Sequence, residues 1–162
     1  MATMDAVVLP VPDGLLVPSS AGWPFVAVCT LAEVPPGTMR RITRGDYDLL
    51  VIHSERGLCL IDDRCPHMAA PLSLGGLDGC VVACPLHRGT FDLSTGNVIQ
   101  FPTTGGLDAD GVYHPTWQPT GTLAKEQPSD TKARARALTR VRRIRYYPLR
   151  VVNGVIEARL PA

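Results

Sequence analysis

The chain has 162 residues, 45% of them hydrophobic, and a formal net charge of +1, which fits one domain with an ordinary apolar core. No apolar run approaches the length of a membrane span, and no Gly-rich phosphate loop, Ser/His/Asp arrangement or nucleic-acid motif is present. The composition therefore argues against membrane and nucleic-acid partners and against nucleotide chemistry.

The N-terminal segment shows no targeting signal. It reads MATMDAVVLPVPDGLL, with an acidic residue and no basic one before its apolar stretch, whereas a secretory signal places positive charge first. We interpret residues 1–22 as an N-terminal arm and expect the protein to be cytoplasmic. The five cysteines agree with this, because an odd number speaks against a disulfide framework.

From residue 25 the chain has the pattern of many short strands. Apolar runs alternate with turns rich in Gly and Pro, of which there are 15 each. The turns at 55–57, 94–96 and 153–154 join such runs into hairpins, and the Asn-Gly pair in the last turn is the strongest short hairpin signal. Strands are predicted over residues 25–31, 39–43, 48–54, 58–62, 79–83, 90–93, 97–101, 142–147, 149–152 and 155–160.

The strand pattern stops after residue 102. Residues 103–128 are rich in Gly, Thr, Pro and Asp without a clear period, and residues 129–139 contain helix formers. We therefore predict one all-β domain over residues 23–162, interrupted at about 103–141 by a largely irregular insertion that holds one short helix.

Four potential metal ligands stand in two short motifs, CPH at 65–67 and CPLH at 84–87. Each motif follows a predicted strand, so two hairpins present their tips to one another. Zinc sites usually pair like with like, whereas each motif here supplies one thiolate and one imidazole. A two-iron cluster fits this arrangement if both thiolates hold one iron and both imidazoles the other. A structural zinc module is the alternative. The four candidate ligands are Cys65, His67, Cys84 and His87.

The sequence resembles that of the Rieske [2Fe–2S] family over roughly residues 25–102 and, more weakly, from residue 142 onward. Besides the two motifs, the resemblance includes Gly89, Phe91, Asp92, Thr95 and Gly96. It implies a fold of stacked antiparallel sheets with two cluster-binding hairpin loops. It also implies that the two cysteines bind a buried inner iron and the two histidines an outer iron near the surface. Pro102 stands where the family has a third, proline-containing loop that covers the cluster.

The sequence departs from the high-potential branch of that family. In that branch each loop carries an additional cysteine and the two form a disulfide, whereas Ala70 and Leu86 occupy those positions here. A serine and a tyrosine that donate hydrogen bonds there correspond to Gly89 and Phe91, whose side chains cannot donate. Fewer donors leave the more negative, reduced state less stabilised, so we expect a low reduction potential.

The resemblance implies an electron carrier, a ferredoxin that passes single electrons from a reductase to a terminal oxygenase or a similar oxidoreductase. A small Rieske subunit of a larger oxidoreductase is the alternative. The oxygenase α subunit is excluded, because its mononuclear iron needs a 2-His-1-carboxylate triad and His114 is the only histidine after His87. We therefore assign no catalytic residue.

The cysteines and histidines outside the two motifs are interpreted as packed or hydrogen-bonded side chains rather than ligands. They are Cys29, Cys59, Cys80, His53 and His114.

Positive charge concentrates towards the C-terminal end. Residues 129–150 hold eight basic residues against Asp130 alone. On a chain whose other residues are net acidic, such a strip predicts a docking surface for an acidic partner, and a solvated face is the alternative.

Overall fold

The computed structural model describes residues 6–120 and 130–162. Short strands dominate it, and a nine-residue helix, α1, lies in the insertion. Three single turns of 3₁₀ helix cover Ser20–Gly22, Leu31–Glu33 and Leu72–Leu74. The strands and the helix are β1 Phe25–Thr30, β2 Met39–Arg44, β3 Tyr47–Ser54, β4 Gly57–Asp62, β5 Gly76–Asp78, β6 Val81–Ala83, β7 Thr90–Asp92, β8 Val98–Gln100, β9 Gly106–Leu107, β10 Tyr113–His114, α1 Asp130–Leu138, β11 Leu149–Val152 and β12 Val155–Arg159.

The strands form antiparallel sheets, as the sequence predicts. One sheet has the order β2-β3-β4, a second β1-β12-β11 and a third β5-β6-β7-β8, while β9 and β10 pair as a small ribbon. Because β1 pairs with β12, the second sheet joins the beginning of the domain to its end. The third sheet contains both strands that flank the second candidate ligand motif.

The hairpin of β3 and β4 lies between two hydrophobic cores. Successive strand residues point to opposite faces, so Leu50 and Ile52 pack in one core with Val82 and Phe91 of the third sheet. Leu49 and its alternating neighbours pack in the other core, against the second sheet. The run of apolar residues in β3 and β4 therefore belongs to a strand pair buried on both faces.

The segments at residues 6–22 and 140–147 pack against the core but form no strand. Leu9 and Leu15 are buried in the core that contains Leu50 and Ile52. The strand predicted over residues 142–147 is wrong. That segment donates backbone hydrogen bonds to several separate parts of the chain, so no continuous ladder forms. The acceptors are the carbonyl groups of Leu15, Leu60, Pro66 and Gly96.

The other strands agree with the predicted positions to within one or two residues, apart from two omissions. The sequence pattern missed β5, which has three residues, and the ribbon of β9 and β10, whose two-residue strands are too short to show a period. The short helix of the insertion is present as α1. Residues 121–128 of the predicted irregular segment lie outside the described residues.

Within the described ranges, none of the helices has the length and apolar character needed to cross a membrane.

Gly75 and Gly76 offer a matched pair of stability variants. A Cβ on Gly75 would overlap the carbonyl oxygen of Ala83, whereas a Cβ on Gly76 meets nothing within 4 Å. We expect Gly75→Ala to lower the free energy of unfolding by about 1–3 kcal/mol, because the backbone of β6 must move. Gly76→Ala should change it by less than about 0.5 kcal/mol. Denaturant titrations followed by circular dichroism measure both, and equal effects would contradict the close approach.

Candidate metal centre

The four candidate ligands lie in two loops, which we call the candidate ligand loops. The first follows β4 and carries Cys65 and His67, and the second connects β6 to β7 and carries Cys84 and His87. The loops are brought together by the close approach of Gly75 to Ala83, the residue that precedes Cys84. The structure therefore places all four predicted ligands in one region, which the sequence spacing alone did not determine.

Both loops have the same backbone conformation around their cysteine. The N–H of Cys65 donates to the carbonyl of Ala70 at 2.7 Å, and the N–H of Cys84 donates to the carbonyl of Gly89 at 2.8 Å. In each loop the fourth residue after the cysteine, Ala69 or Arg88, has a left-handed φ of 60° or 58°. Non-glycine residues seldom adopt this conformation, so the shared hydrogen bond holds each loop in a strained shape.

The two thiols form the inner part of the centre. Cys65 and Cys84 are buried, and the Cys65 thiol donates a hydrogen bond to the Cys84 sulfur. This bond raises the pKa of Cys65 and lowers the pKa of Cys84 to about 6. Backbone N–H groups two and three residues after each cysteine point to its sulfur and also favour the thiolate. These are the N–H groups of His67, Met68, Leu86 and His87.

The two imidazoles lie beside each other, with His67 buried and His87 half-buried. The ring centroids of His67 and His87 are 5.0 Å apart, and the rings meet edge to face at 77°. Burial lowers the pKa of His67 to about 4, and the neighbouring His87 adds to this shift. Both effects favour the neutral imidazole, which is the form that binds a metal.

A third segment covers the loops from the side of residue 102. Pro102 is buried, and a Cβ on Gly89 would lie 3.2 Å from its ring. The next residue, Thr103, donates its N–H to the carbonyl of His87 at 2.9 Å. The Thr104 hydroxyl lies 3.3 Å from Nε2 of His67. No sequence signal marked Thr104, because a threonine in an irregular segment has no distinguishing pattern.

The remaining cysteines and histidines lie outside this centre. Cys80 is buried and donates to the Ser54 hydroxyl at 3.6 Å, and Cys59 packs in the same core. His53 contacts the carbonyl of Val34 at 2.8 Å. His114 pairs with Asp108 at 2.9 Å and stacks on Phe101 with ring centroids 4.1 Å apart.

The donors of the centre are arranged as two pairs. Across residues 6–120 and 130–162, no group of three or more His, Cys, Asp or Glu side chains is placed to hold a single metal ion. The motif residues instead give one thiol pair and one imidazole pair. This donor set matches what a two-iron, two-sulfide cluster requires when each iron takes two protein ligands.

A family comparison identifies this arrangement. The sequence model of the Rieske [2Fe–2S] domain matches residues 24–115, which is more than half of the chain. The chain belongs to the Rieske [2Fe–2S] domain family. Its cofactor is accordingly a [2Fe–2S] cluster, and one-electron transfer is the chemistry that such a cluster supports. The family match replaces the zinc interpretation.

Several sequence relatives are ferredoxins. Ferredoxin CarAc of Metapseudomonas resinovorans is 38% identical over 90 residues, which cover 55% of this chain and 81% of that protein. The 3-phenylpropionate/cinnamic acid dioxygenase ferredoxin subunit of Photorhabdus laumondii is 39% identical over 83 residues, covering 49% and 76%. The ferredoxin component of the naphthalene 1,2-dioxygenase system of Pseudomonas aeruginosa is 34% identical over 83 residues, covering 51% and 80%.

Solved structures confirm the Rieske-like fold. Sphingomonas yanoikuyae B1 ferredoxin superposes with a TM-score of 0.54 at 19% identity, covering 85% of this chain and 100% of that one. A chain from a complex of reduced oxygenase and oxidized ferredoxin in carbazole 1,9a-dioxygenase gives a TM-score of 0.54 at 24% identity, with 83% and 92% covered.

The left-handed conformation of Arg88 leads to a prediction for the second loop. Glycine adopts this φ without steric cost, whereas a β-branched residue does not. We expect Arg88→Val to lower the free energy of unfolding by about 1–2 kcal/mol and to lower the amount of iron that the protein binds. Arg88→Gly should leave both close to the wild-type values. Denaturant titration and iron analysis measure the pair, and a Val variant as stable as the Gly variant would contradict the loop conformation.

Proposed function

We propose that Cys65, His67, Cys84 and His87 hold the [2Fe–2S] cluster, with the two thiolates on the inner iron and the two imidazoles on the outer one. The contact between the two thiols and the edge-to-face contact of the two imidazoles support this division. When bound, the cluster takes up and releases a single electron. The protein residues supply the environment in which that charge is held.

The backbone of the two loops stabilises negative charge on the inner side. Buried thiolates are costly unless they accept hydrogen bonds. The N–H groups that point to the two sulfurs provide these bonds without any polar side chain. The imidazoles carry no negative charge, so the outer side of the centre needs no such compensation.

We propose further that the chain is a ferredoxin that carries electrons from a reductase to a terminal oxygenase. The observation that carries this proposal is the pair of matching loops, whose two imidazoles lie edge to face with their ring centroids 5.0 Å apart. Three relatives named as ferredoxins support it, two of them as ferredoxin components of dioxygenase systems, and the chain covers three quarters or more of each. We place the protein in the cytoplasm, where cysteines outside disulfides stay reduced, and none of its five cysteines forms a disulfide.

The surface around the two loops is apolar enough to dock on a protein. The side chains of Met68 and Leu86, each one residue from a histidine, are 56% and 58% exposed, and Leu74 is 72% exposed. Exposed apolar residues clustered next to a redox centre suit a short-lived contact with a partner. The interpretation of residues 1–22 as an arm, and of residues 23–162 as one domain with an insertion at about 103–141, is part of the same proposal.

The proposal predicts a coloured, one-electron protein. Purified anaerobically, the wild type should be reddish brown and should show a rhombic EPR signal after reduction with dithionite. Cys65→Ser and Cys84→Ser should lose the visible absorption and most of the iron, because serine is a poor ligand for the cluster. Cys29→Ser is the matched control, since Cys29 lies outside the centre in β1. Absorption, EPR and iron and sulfide analysis provide the measurements.

The role of carrier is tested separately with the purified reductase and terminal oxygenase of an aromatic dioxygenase system. Product formation should depend on the added protein and should stop with Cys84→Ser. A colourless protein with one tightly bound zinc would contradict the cluster. A coloured protein that neither component reduces or oxidises would contradict the role of ferredoxin while leaving the cluster in place.

The residues that lack donors predict a low reduction potential. Phe91 is fully buried and has an apolar side chain, and Gly89, which packs against Pro102, has no side chain. Neither residue therefore provides a side-chain hydrogen-bond donor to the centre. We expect a midpoint towards the lower end of the range of about −150 to +300 mV that Rieske centres span. A redox titration followed by EPR measures it, and a value above about +100 mV would contradict the argument.

A further inference from the structure

A groove lined by arginines runs beside the first ligand loop. It has a volume of about 370 Å³, and its walls include His67 and Met68 of that loop. Asp62 is the one acidic residue among the described residues that line it. The arginines are Arg64, Arg140, Arg142, Arg143 and Arg145.

The segment that carries four of these arginines is firmly attached. Val141 and Ile144 are buried in the core, so the arginines beside them face outward. The N–H of Arg142 donates to the carbonyl of Pro66 at 3.3 Å, which ties the segment to the first ligand loop itself. Further backbone bonds to Gly96 and Leu107 fix its position. The positive charges are therefore held beside the loop rather than on a flexible tail.

Little of this charge is neutralised within the molecule. Among residues 6–120 and 130–162, Arg64 and Arg142 form no ion pair, and Arg143 approaches Asp110 only at 4.0 Å. Arg140 and Arg145 donate to backbone carbonyls, which leaves their charge intact. A groove with five like charges in close proximity attracts anions, and nearby low-dielectric walls strengthen the field.

The arginine segment lies outside the part of the chain that matches the family. The match ends at residue 115, and four of the five arginines follow it. The docking surface predicted from the sequence covers the basic strip of residues 129–150, and four of the eight basic residues in that strip line the groove. Residue 129 of the strip lies outside the described residues.

We propose that this groove is a docking surface for an acidic segment of a redox partner protein. The inference rests on the proposed function, because its purpose is to bring the partner to the side of His67. Carboxylates of the partner pair with the arginines, while Met68 at the edge of the groove contributes an apolar contact. Several exposed arginines along an open groove fit an extended acidic chain better than one small anion.

A binding experiment tests the surface without requiring the cluster. Fluorescein-labelled hexaglutamate, followed by anisotropy at low ionic strength, should bind the wild type. The double variant Arg142→Glu/Arg143→Glu should bind it at least about tenfold more weakly than the wild type does. Arg56→Glu is the control matched to the single variant Arg143→Glu, because each replaces one arginine by glutamate, and Arg56 lies in the turn between β3 and β4, at the opposite end of β4 from the ligand loop. Arg143→Glu alone should have an intermediate effect.

An electron-transfer experiment tests the link to the centre. Reduced protein gives one electron to ferricyanide, which becomes ferrocyanide, or to hexaammineruthenium(III), which becomes the ruthenium(II) complex. The double variant should slow the reaction with the anionic oxidant about tenfold and should not slow the reaction with the cationic one. The tenfold difference with the anionic oxidant should disappear near 1 M NaCl, where charges are screened within about 3 Å.

The outcomes separate the two proposals. The docking surface would be overturned if the double variant bound hexaglutamate as tightly as the wild type. It would also be overturned if Arg56→Glu lost as much affinity as Arg143→Glu. Displacement of hexaglutamate by inorganic phosphate at equal ionic strength as effectively as by unlabelled hexaglutamate would also overturn it, in favour of a site for small anions. A protein without a cluster would contradict the proposed function, and the binding measurement would still decide whether the surface recognises acidic chains.

Discussion

Direct contact between the backbones of Gly75 and Ala83 determines how closely the two ligand loops approach. Gly75 ends the first loop, and Ala83 directly precedes the cysteine of the second, so no side chain fits at Gly75. The ladder between β5 and β6 continues from this point with Gly76 opposite Ala83. The first loop is also attached to β4. A larger distance between the two loops would therefore disturb the buried hairpin of β3 and β4. The contact of the two thiols and the neighbouring imidazoles both follow from this constraint.

The centre is graded from a charged interior to a neutral exterior. The two buried sulfurs accept hydrogen bonds from backbone N–H groups. The loop hydrogen bonds of Cys65 and Cys84 already hold these N–H groups in place, so no conformational entropy is lost when negative charge develops on the sulfurs. The left-handed conformations of Ala69 and Arg88 are the energetic cost of aiming those groups inward. The imidazoles carry no negative charge and need no comparable support, and His87 is partly exposed.

Four candidate ligands and most strands could be predicted from the sequence, because both leave strong local patterns. Mixed Cys/His motifs and apolar runs with Gly-containing turns are recognisable without a structure. What the sequence missed depends on contacts between distant segments. Thr104 reaches His67 only because residues 102–104 pack over the second loop. Residues 142–147 have the composition of a strand, yet their backbone bonds go to several different segments rather than to one neighbour. Ala69 and Arg88 adopt a conformation that only glycine would have indicated.

In the proposed docking surface, the residues that would select the partner differ from those that form the candidate metal centre. The arginine segment is attached to the first loop through backbone atoms, at Arg142 and Pro66, and to the core through Val141 and Ile144. The arginine side chains take no part in either attachment. Changing their charge therefore alters the field beside His67 while the loop geometry is retained. We therefore expect the arginines to act mainly on the rate of association with a partner, through the long-range field, and the loop backbone to act mainly on the environment of the cluster.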